Sequence, residues 1–171
     1  MEMKSNELTD ISCFCYENSD LYILEIEGTG SRGWVVKAID KKSLDSYALK
    51  CIRTENDKKA YENAMKEMKI LKELGKLENP NLVKFYDSHF EEKESKKLFI
   101  LKLEYATCNM EEIFLHRKDT TQLYLFANLL YIAREFVHGL EEAKLIGICH
   151  KDIKLSNLLY SKDSSKYLIG D

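Results

Sequence analysis

The residues best suited to chemistry crowd towards the end of the 171-residue chain. His150-Lys151-Asp152-Ile153-Lys154-Leu155-Ser156-Asn157 is one short polar run, and Ile169-Gly170-Asp171 closes the sequence. The carboxylates of Asp152 and Asp171 with the carboxamide of Asn157 suit phosphoryl transfer, in which the protein mainly positions groups and manages charge. Nearer the start, Gly28-Thr29-Gly30-Ser31-Arg32-Gly33 is a glycine-rich turn whose backbone N–H groups can approach phosphates because no Cβ intervenes. Strand-favouring residues flank it on both sides, so it joins two antiparallel strands instead of a strand and a helix. That is the shape of a flap over phosphates; an ordinary glycine-rich hairpin is the plainer alternative.

Lys50 and Glu67 add a third feature. Ala60, Ala64, Glu67, Leu71 and Leu74 share one face of a helix, so Glu67 interrupts an apolar stripe. An ionised carboxylate there is costly unless a cation reaches it. Lys50, inside the apolar strand Tyr47-Ala48-Leu49-Lys50-Cys51-Ile52, is the candidate cation, and its ammonium could then be offered to phosphates. A Glu at the edge of the stripe and a solvated Lys would be the ordinary alternative.

The elements that must position these groups follow from periodicity. Leu21–Ile26, Trp34–Ile39 and Ser46–Ile52 read as strands, and Asp57–Gly75 as a helix stopped at glycine. Asn79-Pro80-Asn81 is a turn. Leu82–Phe90 and Leu98–Leu103 are two further strands joined by a charged loop around Glu91–Lys97. A long helix over about 121–145 carries Leu123, Phe126, Leu130, Ala133 and Val137 on one stripe. Five strands interrupted by one helix, then a mainly helical part, is an α+β pattern.

Composition narrows the class. The chain is 44% hydrophobic and 32% charged, a globular balance. A net charge of −3 provides no electrostatic reason to expect nucleic acid or an anionic membrane as partner. No apolar run is long enough to span a bilayer, and the first residues lack the apolar core of a signal peptide. Cys13, Cys15, Cys51, Cys108 and Cys149 show no paired C-x-x-C spacing and read as reduced thiols of a cytoplasmic protein. His89, His116 and His138 have no ligand-spaced neighbours and read as surface or core histidines.

Taken in order, these motifs resemble the catalytic domain of eukaryotic-type protein kinases. The 150–157 run is similar to that family's catalytic loop, and Asp171 to the first letter of its D-F-G motif. Tyr47-Ala48-Leu49-Lys50 resembles the strand carrying the nucleotide lysine. Glu67–Leu74 with Asn79–Val83 resembles the helix and turn after it, and Leu98–Tyr105 the strand into the hinge. The likeness covers about 21–171, and Lys154 two places after Asp152 is of the serine/threonine type.

The resemblance implies a two-lobed fold over 19–171: a five-stranded antiparallel small lobe with one helix (about 19–105) and the start of a helical large lobe (about 106–171). A flexible lead-in over 1–18 precedes it. It implies γ-phosphate transfer from Mg²⁺-bound ATP to a Ser or Thr hydroxyl of a protein substrate. Gly28, Gly30 and Gly33 would cover the phosphates, with Lys50 on the α- and β-phosphates and Glu67 holding Lys50. Val35, Ala48 and Leu159 would line the adenine pocket, with Leu103 as gatekeeper, and backbone groups of Glu104 and Ala106 would bond adenine. Asp152 would accept the hydroxyl proton, Lys154 would steady the γ-phosphate, Asn157 and Asp171 would hold Mg²⁺, and His150 would prop the loop.

Departures qualify the match. Glu27 precedes the first glycine where the family places an apolar residue against adenine. Either Ile26 takes that place by a small shift, or the pocket is more open. Lys151 stands for the usual Arg and cannot make its bidentate phosphate contact, which argues against control by loop phosphorylation. Leu155 replaces a common Pro. The likeness stops at Asp171, before the family's activation segment and later helices. The corresponding expectation is a catalytic domain cut short, weakly active or inactive, with Phe126, Leu130 and Val137 left as an apolar patch open to a partner. A non-catalytic nucleotide-binding or protein-interaction fragment is the alternative function.

Overall fold

A computed structural model describes residues 20–30, 33–55, 57–93, 96–116 and 122–170. The chain divides into two compact units, Met1–Lys69 with Phe85–Tyr105 and Ile70–Lys84 with Ala106–Asp171.

The first unit is built on a five-stranded antiparallel sheet of order β1-β2-β3-β5-β4. Its strands are β1 (Leu21–Gly30), β2 (Gly33–Asp40), β3 (Ser46–Arg53), β4 (Phe85–Lys93) and β5 (Lys96–Glu104). Alternation along the strands sends Trp34, Val36, Ala38, Leu49, Cys51, Leu98 and Ile100 to one face, where they form a core with Leu21, Ile23 and Ile26 against it. The paired registers Val35↔Lys50, Lys37↔Ala48, Ala48↔Leu103 and Lys50↔Leu101 put the complementary set on the opposite face. The sheet is therefore two-sided by sequence pattern alone: one side is packed apolar core, the other carries Lys50.

Helix α1 (Lys58–Gly75) begins in this unit. Asp57 caps it by accepting the Ala60 N–H at 3.0 Å, which satisfies one of the donors that the first turn leaves unpaired. Ala60 and Ala64 are buried, and Tyr61 stands edge-on to Phe99 and Phe90. Small residues on this stripe let the helix lie close to the sheet, which brings Glu67 within reach of β3.

The second unit is mainly helical, as expected, but also carries a small sheet. Besides α2 (Met110–His116) and α3 (Gln122–Leu145) it contains a three-stranded sheet of β6 (Cys108–Asn109), β7 (Leu158–Ser161) and β8 (Lys166–Ile169). These strands are two to four residues long, below the length at which alternation can be read. The strand expected from Leu82 starts only at Phe85. Leu82 and Val83 belong instead to the second unit, where the Val83 N–H donates to the Ile169 carbonyl at 3.3 Å and the Ile169 N–H to Asn81 at 2.8 Å. The expected charged loop over 91–97 is also shorter, because β4 and β5 stay paired out to Lys93↔Lys96.

Leu82, Met110, Ile132, Phe136 and Ile169 make the core of this unit. A Cβ on Gly139 of α3 would lie 2.8 Å from the Ile169 side chain, so glycine lets the helix press onto β8. The predicted stripe of α3 is its other side: Leu130 is 58% and Val137 50% exposed, as expected for that patch. The side chains of Leu123 and Phe126 lie outside the described residues. Among the described residues no helix is long and apolar enough to cross a membrane. The described cysteines, Cys51, Cys108 and Cys149, are free thiols.

Candidate active site

In the first unit the predicted lysine–glutamate pair forms. Lys50 Nζ lies 2.9 Å from Glu67 Oε1, with side chains 20% and 33% exposed. Glu67 Oε1 is buried, and the Lys50 ammonium beside it offsets its charge. Helix α1 supplies the glutamate and β3 the lysine, so a change in either element separates the pair. Val35, Ala48 and Leu103 share the Lys50 face of the sheet, and Leu103 is buried. Glu104 ends β5 and pairs with Tyr47.

The glycine run forms the β1–β2 hairpin, closed at Gly30↔Gly33; Ser31 and Arg32 lie outside the described residues. Its glycines differ in what they need. A Cβ on Gly28 would meet nothing within 4 Å, whereas one on Gly33 would sit 1.9 Å from the carbonyl oxygen of Cys51 on β3. Gly28 thus leaves open space on its surface. Gly33 is glycine because the neighbouring strand occupies the side-chain position.

The Glu27 question also resolves. A register shift between Ile26 and Gly28 makes Glu27 the extra residue of a bulge. Ile26, opposite Val36, packs into the core on the far face and does not replace it. Glu27 instead accepts a hydrogen bond from the Tyr105 hydroxyl at 2.7 Å, and Lys37 Nζ lies 4.5 Å over the Tyr105 ring. Sequence reading marked Glu27 as unusual but missed Tyr105 and Lys37. The pairing of bulge and hinge residue depends on strand order, which no local pattern encodes.

In the second unit the predicted catalytic run folds into a compact hydrogen-bonded loop. Lys151 adopts a left-handed backbone (φ +67°), an uncommon state for a residue with a side chain, costing about 1–3 kcal/mol. This turn brings the Asp152 N–H to His150 Nδ1 at 3.3 Å, and His150 Nε2 lies 3.1 Å from the Gly170 carbonyl. The two contacts are satisfied together by the neutral tautomer with hydrogen on Nε2. The His150 ring thus ties the loop to Gly170 through its two nitrogens.

Asp152 is exposed and held on one side only. Its Oδ2 takes Lys154 Nζ at 2.9 Å and Asn157 Nδ2 at 3.1 Å, while Asn157 Nδ2 also reaches the Asp152 carbonyl at 2.9 Å. The hydrogen bond from Lys154 is the largest cause that holds the carboxyl below the usual Asp range, aided by the Asn157 bond and opposed by partial desolvation. Oδ1 has no partner among the described residues. The result is a carboxylate with one oxygen fixed and the other without a partner among the described residues.

Asn157 turns its amide nitrogen towards Asp152, which directs its amide oxygen the other way. Its carbonyl accepts the Gly170 N–H at 2.9 Å, tying the residue before Asp171 to the same loop. Asp171 itself lies outside the described residues, and among the described residues no cluster of three His, Cys, Asp or Glu side chains is placed to hold a metal. An amide and a carboxylate oxygen are hard donors of the kind that suit Mg²⁺. Leu159, on β7, pairs with Leu168 and approaches Gly170, and Ala106 opens the second unit after the hinge.

The protein kinase domain family matches residues 22–171. The chain is 28% identical over 144 residues to serine/threonine-protein kinase stk11 of Xenopus laevis, covering 82% of this chain and 32% of that protein. It is 30% identical over 161 residues to serine/threonine-protein kinase atg1 of Dictyostelium discoideum, covering 88% and 22%. It is 29% identical over 146 residues to cyclin-dependent kinase 12 of Caenorhabditis elegans, covering 80% and 19%. The chain thus spans about a third or less of the length of these relatives.

Proposed function

The chain belongs to the protein kinase family, and we propose that it transfers the γ-phosphate of Mg²⁺-bound ATP to a serine or threonine hydroxyl of a protein. The observation that carries this reading is Asp152, ionised, with Oδ2 clamped by Lys154 and Asn157 and Oδ1 open. A hydroxyl donating to Oδ1 is oriented for attack and loses its proton there as its oxygen bonds to the γ-phosphorus. The bond from that phosphorus to the β-bridging oxygen breaks in the same step, and ADP leaves. Lys154, beside Asp152, offsets the negative charge that gathers on the transferring group. In the first unit Lys50, held by Glu67, supplies a cation for the α- and β-phosphates. Mg²⁺, held through oxygens of Asn157 and Asp171, would supply further charge neutralisation on the phosphates. The serine/threonine assignment rests on Lys154 and on the relatives named above.

Phosphorylation of a serine/threonine peptide library with γ-labelled ATP tests this directly. Transfer by the chain and none by its Asp152 variant supports it. Equal signals, or label on tyrosine alone, would sink it. Its pH profile offers an internal check. Because Asp152 is held below the ordinary Asp range, the acid limb of kcat/KM should fall at a lower pH than a free carboxyl would produce. Lys154→Met removes the largest cause of that shift, so the limb should move upward in pH as well as the rate falling.

Nucleotide binding can be read without turnover. Saturation to a hundred times Kd stabilises a protein by about 2.7 kcal/mol, so Mg²⁺·ATP should raise the melting temperature by several degrees. Lys50→Met should abolish most of that rise. Glu67→Gln should reduce it by less, since the neutral amide still fits beside Lys50 but no longer holds it by charge. A full shift in Lys50→Met would show that the lysine does not touch the nucleotide.

A further inference from the structure

Glu27 and Tyr105 connect two parts of the first unit that have different tasks in the reading above. Glu27 stands at the foot of the glycine hairpin, the part assigned to the phosphates. Tyr105 directly follows Leu103 and Glu104, the part assigned to the base. Their 2.7 Å hydrogen bond bridges the phosphate end of the sheet face to its base end. In a nucleotide, the group that joins phosphate to base is the ribose.

The carboxylate is also ready for a second donor. Oε1 is occupied by the Tyr105 hydroxyl, and Oε2 has no partner among the described residues. Tyr105 is itself fixed: it is buried, and the Lys37 ammonium lies over its ring. Glu27 lies on an exposed bulge, so a ligand can reach it without displacing core. With Ile26 committed to the opposite face, no apolar side chain from this stretch takes the place beside the base.

We propose that Glu27, oriented by Tyr105, is a nucleotide-specificity residue that accepts a hydrogen bond from a ribose hydroxyl through its Oε2. This rests on the assignment of this sheet face to ATP. A hydrogen bond to a charged acceptor in such a place discriminates by about tenfold or more against a ligand that lacks the donor. The chain should therefore bind ATP more tightly than 2′-deoxy-ATP, or than 3′-deoxy-ATP, depending on which hydroxyl Oε2 takes.

The test is equilibrium binding of Mg²⁺·ATP and the two deoxy analogues to the chain and to Glu27→Leu, Tyr105→Phe and Lys50→Met, with folding of each variant checked by its melt. The expected result is about tenfold preference for ATP over one analogue, lost in Glu27→Leu and weakened in Tyr105→Phe. Lys50→Met should weaken all three nucleotides by a common factor and keep their ratio, because it acts at the phosphates. Tight ATP binding with no preference over either analogue, or a preference that survives in Glu27→Leu, would overturn the ribose contact while leaving the kinase reading intact. Absence of any ATP binding by the unaltered chain would overturn both.

Discussion

Asp152→Asn is expected to lower phosphotransfer by about 10²- to 10⁴-fold, the range over which a positioned general base acts. The substitution preserves shape, and its amide oxygen can still accept from Lys154 and Asn157, so the loop should stay folded. What disappears is the anionic oxygen proposed to take the proton. The Asp152 side chain is exposed, so its loss should change the melting temperature little. ATP affinity should also hold, because the proposed role of this residue is toward the acceptor hydroxyl rather than the nucleotide. Single-turnover transfer, nucleotide affinity and the thermal melt, measured on the same variant, separate these effects. A normal rate would remove Asp152 from the chemistry, and a collapsed melt would show that its role is to hold the loop together.

Gly33→Ala is the second large effect, and it concerns stability. The added Cβ would lie 1.9 Å from the Cys51 carbonyl oxygen and 3.0 Å from its carbon, both backbone atoms of the paired strand. A backbone inside a sheet cannot move aside without breaking its ladder, so β2 and β3 must separate locally. Overpacking of this kind costs about 1–3 kcal/mol, and here the contact is with rigid atoms, which puts the expectation at the upper end. Gly28→Ala, in the same glycine run, meets nothing within 4 Å and should melt within a degree or two of the unaltered chain. Its effect should appear instead in ATP affinity, if the open surface beside Gly28 receives the phosphates as proposed. Equal melting temperatures for the two variants would refute the distinction.

That contrast shows where one-dimensional reading ends. The glycine run announces a tight hairpin with free backbone, and its flanking residues announce antiparallel strands. The reason for each glycine is a matter of what lies across the sheet, and Gly33 faces β3, nearly twenty residues on. The same holds for Glu27. Its polarity at an ordinarily apolar place is visible in the sequence, but its partner Tyr105 lies across strands β2, β3 and β5. The short strands β6, β7 and β8 escape for a different reason. They are held by pairing with one another and by Asn81 and Val83, not by a pattern of their own.

The sequence by itself determined the groups assigned to the proposed chemistry and their order. Asp152, Lys154 and Asn157 sit on a loop whose contacts span five residues or fewer, so spacing specifies their geometry almost directly. The interrupted stripe of α1 likewise demanded a cation for Glu67, because burying a lone charge is too costly to leave unanswered. Tertiary structure alone decided the contacts between groups distant in sequence. These are the bond from Tyr105 to Glu27, the exclusion of any side chain at Gly33, and the tie from His150 and Asn157 to Gly170. Local patterns encode energies within a turn or a strand. Which strands and loops then become neighbours is set by packing the whole unit, and the finer parts of the site are made there.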